Sequence, residues 1–334
     1  MKKLVAASMI CMAPVAMANA DNANAPQPAL MVANPQQTLF TDITDNGDAI
    51  VAVGKHGTII YRPKQQAQWQ QAEVPVQSLL TAVTFKSPEL GWACGHDASI
   101  IKTTDGGKSW QLQQYLPQLE RPCLDIEFID KQRGYAIGAY GMFYETKDGG
   151  QTWQKRFINE FVHPDDVDYL NDLKEQDPEA YEIETAYILP HFNRILFAAE
   201  NTYLVGEMGL VAVSKDQGQS WQRLPQFYRG SFFAVAKSNA DELLVAGLRG
   251  NIYVQQDGEM QHLETSYSAT VNSILNAPER TFLFANSGVI YRLENGQLSA
   301  TQMKNGQSIM AGVLHGEQLI LATEQGIAEV EVKP

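Results

Sequence analysis

The sequence contains one short pattern three times, Asp-x-Gly-x-Ser/Thr-Trp. In each copy the Asp carboxylate can accept hydrogen bonds from backbone amides two or three residues further on, and the Gly supplies a positive φ. The Trp provides a large ring to bury against a neighbouring unit. Short apolar runs precede each copy, so the pattern predicts a hairpin turn that joins two antiparallel strands. The residues that define the three turns are Asp105, Gly107 and Trp110, then Asp148, Gly150 and Trp153, then Asp216, Gly218 and Trp221.

A second, weaker marker extends the repeat over most of the chain. It is a small residue, two variable residues and usually a Gly, flanked by apolar runs. The copies lie at residues 54–57, 95–98, 138–141, 206–209, 247–250, 285–288 and 323–326. They recur about every 40 residues with one longer interval, which is the period of a β-propeller blade. The sequence therefore predicts an all-β fold, a seven-bladed β-propeller with four-stranded antiparallel blades.

The longer interval indicates an insertion at about residues 159–190. Pro164 followed by Asp165 and Asp166 can open a helix. We therefore expect a short, acidic, partly helical segment. A functional loop and a plain surface elaboration are both open for it.

The first residues are typical of a cleavable secretory signal. Lys2 and Lys3 precede a short apolar run, and small residues follow at Ala18 and Ala20. The pattern predicts a signal peptide over residues 1–20 and a periplasmic product, secreted across the inner membrane.

The segment after the predicted signal has two parts. Residues 21–28 are small, polar and proline-containing, and we expect a flexible leader there. The propeller domain is predicted to span residues 29–334. Residues 29–33 resemble a strand, which we expect to complete the last blade and so close the ring without exposed sheet edges.

Charge and cysteine content narrow the classes of partner. The net charge of −13 disfavours nucleic acid and anionic lipid, and no other stretch of the sequence is apolar and long enough for membrane insertion. Cys94 and Cys123 could pair across a seam between blades or remain two buried thiols. We expect no metal or cofactor, because the chain has neither a metal-ligand spacing nor a phosphate-binding loop. A monomer is expected.

We call the three Asp-x-Gly-x-Ser/Thr-Trp turns Asp-boxes and the copies of the second marker Gly-x-x-Gly hairpins. Together with the seven units, they resemble the photosystem II stability and assembly factor family of bacterial neuraminidase repeat propellers. The resemblance covers residues of about 38 to 332, except the insertion. It implies a non-catalytic propeller that acts as a scaffold in membrane-protein assembly. It also implies partners among membrane or envelope complexes, including transport systems such as exporters of the resistance-nodulation-division type.

An enzymatic alternative arises because Asp-boxes also occur in sialidases. Sialic acid chemistry requires an arginine cluster, a Tyr nucleophile with a Glu, and an acid. The Phe/Tyr-Arg-Ile-Pro motif of sialidases is missing, and residues 192–195 are only a loose echo of it. We therefore predict no enzymatic activity. A carbohydrate-binding or sialidase-like propeller is the alternative, and it predicts that Glu207, Asp97 and Tyr140 meet within hydrogen-bonding distance.

Ring geometry places the Gly-x-x-Gly hairpins and the insertion on one face, opposite the Asp-box turns. The variable residues of these hairpins are mixed in chemistry, as protein-binding surfaces are. Tyr140, Met208 and Arg249 are the preferred anchors. The other predicted partner-binding residues are His56, His96, Glu207, Arg194 and Arg229, and His191 is expected beside them.

Overall fold

Seven antiparallel sheets form a ring in the computed structural model, which describes residues 25–238 and 240–332. The innermost strand of each sheet packs against the innermost strand of the next, and the last packs against the first. Six sheets have four strands, and the seventh has three among the described residues. The prediction of a seven-bladed all-β propeller is therefore confirmed.

The strands follow one another in chain order, from the axis of the ring outward. Blade 1 consists of β1 Phe40–Asp45, β2 Ala49–Gly54, β3 Ile59–Pro63 and β4 Gln70–Gln71, and blade 2 consists of β5 Leu80–Phe85, β6 Gly91–Gly95, β7 Ile100–Thr103 and β8 Gln111–Gln114. Blade 3 consists of β9 Cys123–Phe128, β10 Gly134–Gly138, β11 Phe143–Thr146 and β12 Gln154–Lys155. Blade 4 consists of β13 Phe192–Ala198, β14 Asn201–Gly206, β15 Val211–Ser214 and β16 Gln222–Arg223. Blade 5 consists of β17 Phe232–Lys237, β18 Leu243–Gly247, β19 Ile252–Gln256 and β20 Glu259–Leu263. Blade 6 consists of β21 Val271–Ala277, β22 Arg280–Ala285, β23 Val289–Glu294 and β24 Gln297–Gln302. Blade 7 consists of β25 Ile309–His315, β26 Gln318–Thr323 and β27 Gly326–Glu331.

Polar side chains at the second position of the inner strands tie neighbouring blades together. Thr41 Oγ1 donates to the carbonyl of Leu80, and Thr81 Oγ1 donates to that of Cys123, at 2.5 and 2.7 Å. Asn193 makes the same contact to blade 5 and Asn272 to blade 7. Because each bond reaches the first residue of the next inner strand, it fixes the offset between blades as well as satisfying a carbonyl.

Each Asp-box forms a turn held by its carboxylate, as predicted, but the amide bound in all three boxes lies four residues further on rather than two or three. In the third box, Asp216 accepts hydrogen bonds from the hydroxyls of Ser214 and Ser220 and from the amide of Ser220. These bonds, the one from the Ser220 hydroxyl foremost, lower the pKa of Asp216 to about 2. The box carboxylates therefore serve their own turns.

The boxes also anchor one blade on the preceding one. Trp92 of blade 2 donates from Nε1 to the carbonyl of Gly149, and Tyr135 of blade 3 donates to that of Gln217. The box tryptophans Trp110 and Trp221 are buried, and Trp153 is half-buried. Each packs into a cluster that spans a blade seam, as expected.

The insertion between β12 and β13 forms two short helices, α1 Pro164–Gln176 and α2 Pro178–Glu184. His163 and Asp177 cap the N-termini of these helices. Acidic residues occupy the first turns, where their negative charge interacts favourably with the helix dipole and stabilises the helix. The predicted partly helical insertion is thus confirmed.

The predicted closing strand is not formed. Residues 29–33 have no strand conformation, and the last blade remains three-stranded within the described part of the chain. The segment instead follows blade 1, where the amide of Ala29 donates to the carbonyl of Val74. The side-chain amide of Gln71 donates to the carbonyl of Leu30 and accepts from the backbone amide of Val32. A turn at residues 34–37, which contains a proline, redirects the chain. The carbonyl of Gln36 then accepts a hydrogen bond from the amide of Ile327 in β27. The predicted signal peptide and residues 21–24 lie outside the described residues.

Cys94 and Cys123 form a disulfide between β6 of blade 2 and β9 of blade 3. Both residues are fully buried. Of the two alternatives that the sequence left open, the structure therefore has the cross-link over the seam.

Candidate protein-binding face

The hairpins between the second and third strands lie beside the connections between blades. Gly57, Gly141 and Gly209 donate their amides to carbonyls of the connection that leads to the next blade. The insertion is one of these connections, so it shares their face of the ring. This arrangement agrees with the one deduced from ring geometry.

The tip residues of these hairpins adopt a left-handed backbone. The φ angles of Tyr140, Met208 and Arg249 are 53°, 56° and 58°, and a glycine with positive φ follows each. A left-handed conformation costs a non-glycine residue roughly 1–2 kcal/mol. The rigid hairpin thus holds a bulky side chain at its tip.

The predicted binding residues spread over the first five blades. His56, His96, Arg229 and Arg249 are exposed and separate, each on its own hairpin or connection. Their role in binding stays a prediction.

The blade 3 and blade 4 hairpins meet the end of the insertion. The ring of Tyr140 lies 5.3 Å from that of Tyr187 and 4.6 Å from that of His191, both nearly perpendicular. His191 in turn contacts the carboxylate of Glu207, with Nδ1 3.4 Å from Oε1. Met208 follows Glu207 in the chain and lies at the tip of the blade 4 hairpin. We call Tyr140, Tyr187, His191, Glu207 and Met208 the aromatic patch.

The aromatic patch is accessible and confined to one sector, and three of its five side chains are largely apolar. Tyr140, Tyr187 and Met208 are 39%, 60% and 72% exposed. Exposed tyrosine and methionine side chains gathered at one place are typical of surfaces that bind proteins.

Sequence reasoning missed two residues here, Tyr187 and Arg121. Arg121 lies in the connection from blade 2 to blade 3, and its guanidinium carbon is 5.0 Å from the centre of the Tyr187 ring. Both residues belong to connections, which carry no repeat pattern that could have revealed them.

Arg194 lies in the central cavity of about 640 Å³ rather than at the tips. Its Nη1 is 3.0 Å from Asp125, whose other oxygen accepts the amide of Ile195. In the same cavity, burial raises the pKa of Asp42 to about 6, while Arg194 opposes the shift. Arg194 is thus engaged in an ion pair that joins the inner strands of blades 3 and 4.

The convergence that carbohydrate binding predicts does not occur in the described structure. Asp97 accepts a hydrogen bond from Ser78, and Glu207 contacts His191. No hydrogen bond joins either acid to Tyr140 within residues 25–238 and 240–332. The three residues belong to three different hairpins, each with its own partners.

No helix within residues 25–238 and 240–332 has the length and apolar character of a membrane span. Nor does the described part of the chain bring three or more His, Cys, Asp or Glu side chains together in a metal-binding arrangement.

The closed ring, the Asp-box turns and the hairpin face define an Asp-box repeat β-propeller. The family described as photosynthesis system II assembly factor YCF48 matches residues 62–122 and 114–280. The chain therefore belongs to this family.

Curated relatives match over short stretches. Photosystem II assembly protein Ycf48 of Synechococcus sp. (strain JA-2-3B'a(2-13)) is 43% identical over 54 residues, 16% of each chain. The chloroplast stability and assembly factor HCF136 of Cyanidioschyzon merolae (strain NIES-3377 / 10D) is 31% identical over 71 residues, 20% of this chain and 16% of the relative. The matches thus span about a sixth of the length of these relatives.

Solved structures match over nearly the whole chain. YCF48 bound to D1 peptide has a TM-score of 0.65 at 16% identity, covering 92% of this chain and 100% of that one. YCF48 from Cyanidioschyzon merolae has a TM-score of 0.64 at 12% identity, covering 91% and 98%. The WD40 propeller domain of Doa1 has a TM-score of 0.65 at 13% identity, covering 92% and 96%. At these identities the structural likeness concerns the fold alone.

Proposed function

We propose that this protein is a non-catalytic assembly or accessory factor that binds a polypeptide segment of a membrane protein complex at the aromatic patch. The family to which the chain belongs consists of assembly factors, and a relative of the same fold has been solved with a bound peptide. The observation that carries the proposal is the contact of the exposed Tyr140 with Tyr187 and His191, next to Glu207 and the exposed Met208 that follows it in the chain.

The physical argument concerns the cost of binding. Aromatic side chains have few rotamers to lose on contact and bury much apolar area, and a methionine adds an adaptable apolar surface. A few such residues supply most of the affinity of a protein interface. Tyr140 is already braced by two rings, and its backbone is fixed by the hairpin. Less ordering is therefore needed when a partner binds.

We further propose a periplasmic location and a client in the cell envelope, such as a membrane transport system. This part rests on the signal peptide predicted at residues 1–20. Fractionation of cells that express the full chain tests it, with recovery of a shortened product in the periplasmic fraction as the expected result. Recovery of the uncleaved chain in the cytoplasm would contradict it.

The binding proposal is tested by affinity purification from the envelope fraction followed by mass spectrometry. We expect Tyr140→Ala combined with Met208→Ser to reduce the captured partners about tenfold or more, as loss of hot-spot residues does. Tyr169→Ala combined with Met31→Ser is the matched control, because both residues are exposed and lie outside the patch. Equal capture by the wild type and the patch variant would refute the proposal.

The remaining predicted anchor is tested in the same experiment. Arg249→Glu combined with Tyr140→Ala reverses the charge on the blade 5 hairpin and truncates the patch. A larger loss of partners than with Tyr140→Ala alone is expected if the interface extends to blade 5. Identical profiles would confine the interface to blades 3 and 4.

A further inference from the structure

Arg121 is a buried cation without a counter-charge in the described structure. The residue is only 9% exposed, and its Nε is buried without a hydrogen-bond acceptor, whereas its two Nη atoms retain access to solvent. Neither an ion pair nor a side-chain hydrogen bond joins its guanidinium to any group in residues 25–238 and 240–332. Its sequence neighbour Glu120 is exposed and forms no ion pair with it there.

Such a group is unusual because a guanidinium has five donors and is always charged. Buried charges are normally paired, since the loss of hydration is otherwise uncompensated. The other largely buried arginine of this region, Arg194, has Asp125 as its partner. What surrounds Arg121 is instead aromatic: Tyr187 stacks on it, and its charge acts on the hydroxyl of Tyr144, whose pKa is raised by burial.

The position of Arg121 links it to the aromatic patch. Its guanidinium lies over the ring of Tyr187, and the ring of Tyr140 contacts the same Tyr187 ring edge to face. A ligand that covers Tyr140 and Tyr187 would therefore lie next to this charge. At the blade 4 side of the patch, the Glu207 carboxylate has a local partner in His191, with Oε1 3.4 Å from Nδ1, whereas Arg121 has no such partner in the described structure.

We propose that Arg121 is the carboxylate-binding residue of this patch, and that the polypeptide segment bound there carries an acidic group beside apolar side chains. The inference rests on the proposed function and specifies the chemistry of its partner. The guanidinium fork matches a carboxylate, and a charge-assisted hydrogen bond in a partly dehydrated site is about twice as strong as a neutral one. The apolar neighbours of the acid would contact Tyr140, Tyr187 and Met208.

The test uses side-chain nitrogen NMR of the protein labelled with ¹⁵N-arginine. The Arg121 Nε resonance is assigned as the one that disappears in Arg121→Lys. The probes are acetate, with chloride at equal ionic strength as its control, and the capped peptides Gly-Ser-Leu-Asp-Leu-Ser-Gly and Gly-Ser-Leu-Asn-Leu-Ser-Gly. We expect acetate and the Asp peptide to shift this resonance saturably, and the Asp peptide to bind about tenfold more tightly than the Asn peptide.

Variants separate this site from a general charge effect. Arg121→Gln should abolish the preference for the Asp peptide. Arg133→Gln, which removes the same charge from the opposite face, where Arg133 pairs with Asp130, should retain it. Equal binding of the two peptides by the wild type, or an Arg121 resonance that neither acetate nor the Asp peptide shifts, would overturn the inference.

A thermal measurement distinguishes binding from a structural role. Arg121→Met keeps the packing against Tyr187 but removes the unpaired charge, so its Tm should equal or exceed that of the wild type. A marked fall would show that Arg121 serves the fold. If Tyr140→Ala with Met208→Ser loses the captured partners while Arg121→Gln keeps them, the carboxylate inference fails and the proposed function stands.

Discussion

The disulfide between Cys94 and Cys123 gives the sharpest quantitative prediction on stability. The two cysteines are 29 residues apart in sequence and join the inner part of blade 2 to blade 3. In the chain-entropy treatment, a cross-link that closes a loop of this length removes about 12 cal/mol/K from the unfolded ensemble, or about 3.5 kcal/mol at 25 °C. We therefore expect reduction of this bond to lower the free energy of unfolding by about 3.5 kcal/mol.

The assay is urea unfolding followed by tryptophan fluorescence, with and without dithiothreitol, on protein whose redox state is verified by intact mass. The double variant Cys94→Ala, Cys123→Ala is the control, because it should unfold near the reduced wild type and should not respond to the reductant. The two alanines also remove buried sulfur, so the variant should be slightly the less stable. A verified reduction that changes the free energy of unfolding by less than about 1 kcal/mol would refute the reasoning.

Two further predictions concern the seams and the central cavity. Trp221→Ala removes a buried ring that packs against Phe143 and Phe161, so it should lower the free energy of unfolding by about 3–5 kcal/mol in chemical denaturation. Trp153→Ala should lower it by less, because Trp153 is only half-buried. Equal losses for the two variants would contradict this prediction. Burial raises the pKa of Asp42 from 3.8 to about 6, so the folded protein binds this proton more tightly than the unfolded chain does, and the contribution of Asp42 to stability falls as the pH rises from about 4 to 6. Asp42→Asn should accordingly gain stability relative to the wild type over that interval and show a constant difference above it, as measured by urea unfolding across pH; a difference independent of pH would count against the shift.

The fold could be predicted from the sequence because the information that specifies it is local and repeated. The bonds of Asp105 to the Ser109 hydroxyl and amide lie within one turn, so a short pattern suffices to identify them. Counting the repeats then gives the number of blades, and strand order gives the face on which Tyr140 and Met208 lie.

The errors and omissions concern contacts between segments that no repeat relates. The disulfide depends on how two blades are set against each other, which residue spacing does not determine. The strand predicted at residues 29–33 has an apolar composition, but the turn after it and the amide of Gln71 direct it to blade 1. Tyr187 and Arg121 come from connections of different length, so only the folded ring brings them together.

The reinforcing elements of the ring are concentrated in the sector that carries the aromatic patch. The Asp-box glycines contact the preceding blade at Val51, Trp92 and Tyr135, so the boxes fasten the first three seams of the ring. The disulfide adds a covalent link to the second of these seams, between blades 2 and 3. Tyr140 and Met208 of the aromatic patch lie on blades 3 and 4, on either side of the third seam. A binding surface assembled from two blades keeps its shape only if those blades cannot shift relative to each other, because the side chains would otherwise have to be reordered by the partner. We therefore interpret the Asp-boxes as stabilising the opposite face, because a rigid seam would hold the two hairpins and the inserted segment of the proposed site in one arrangement.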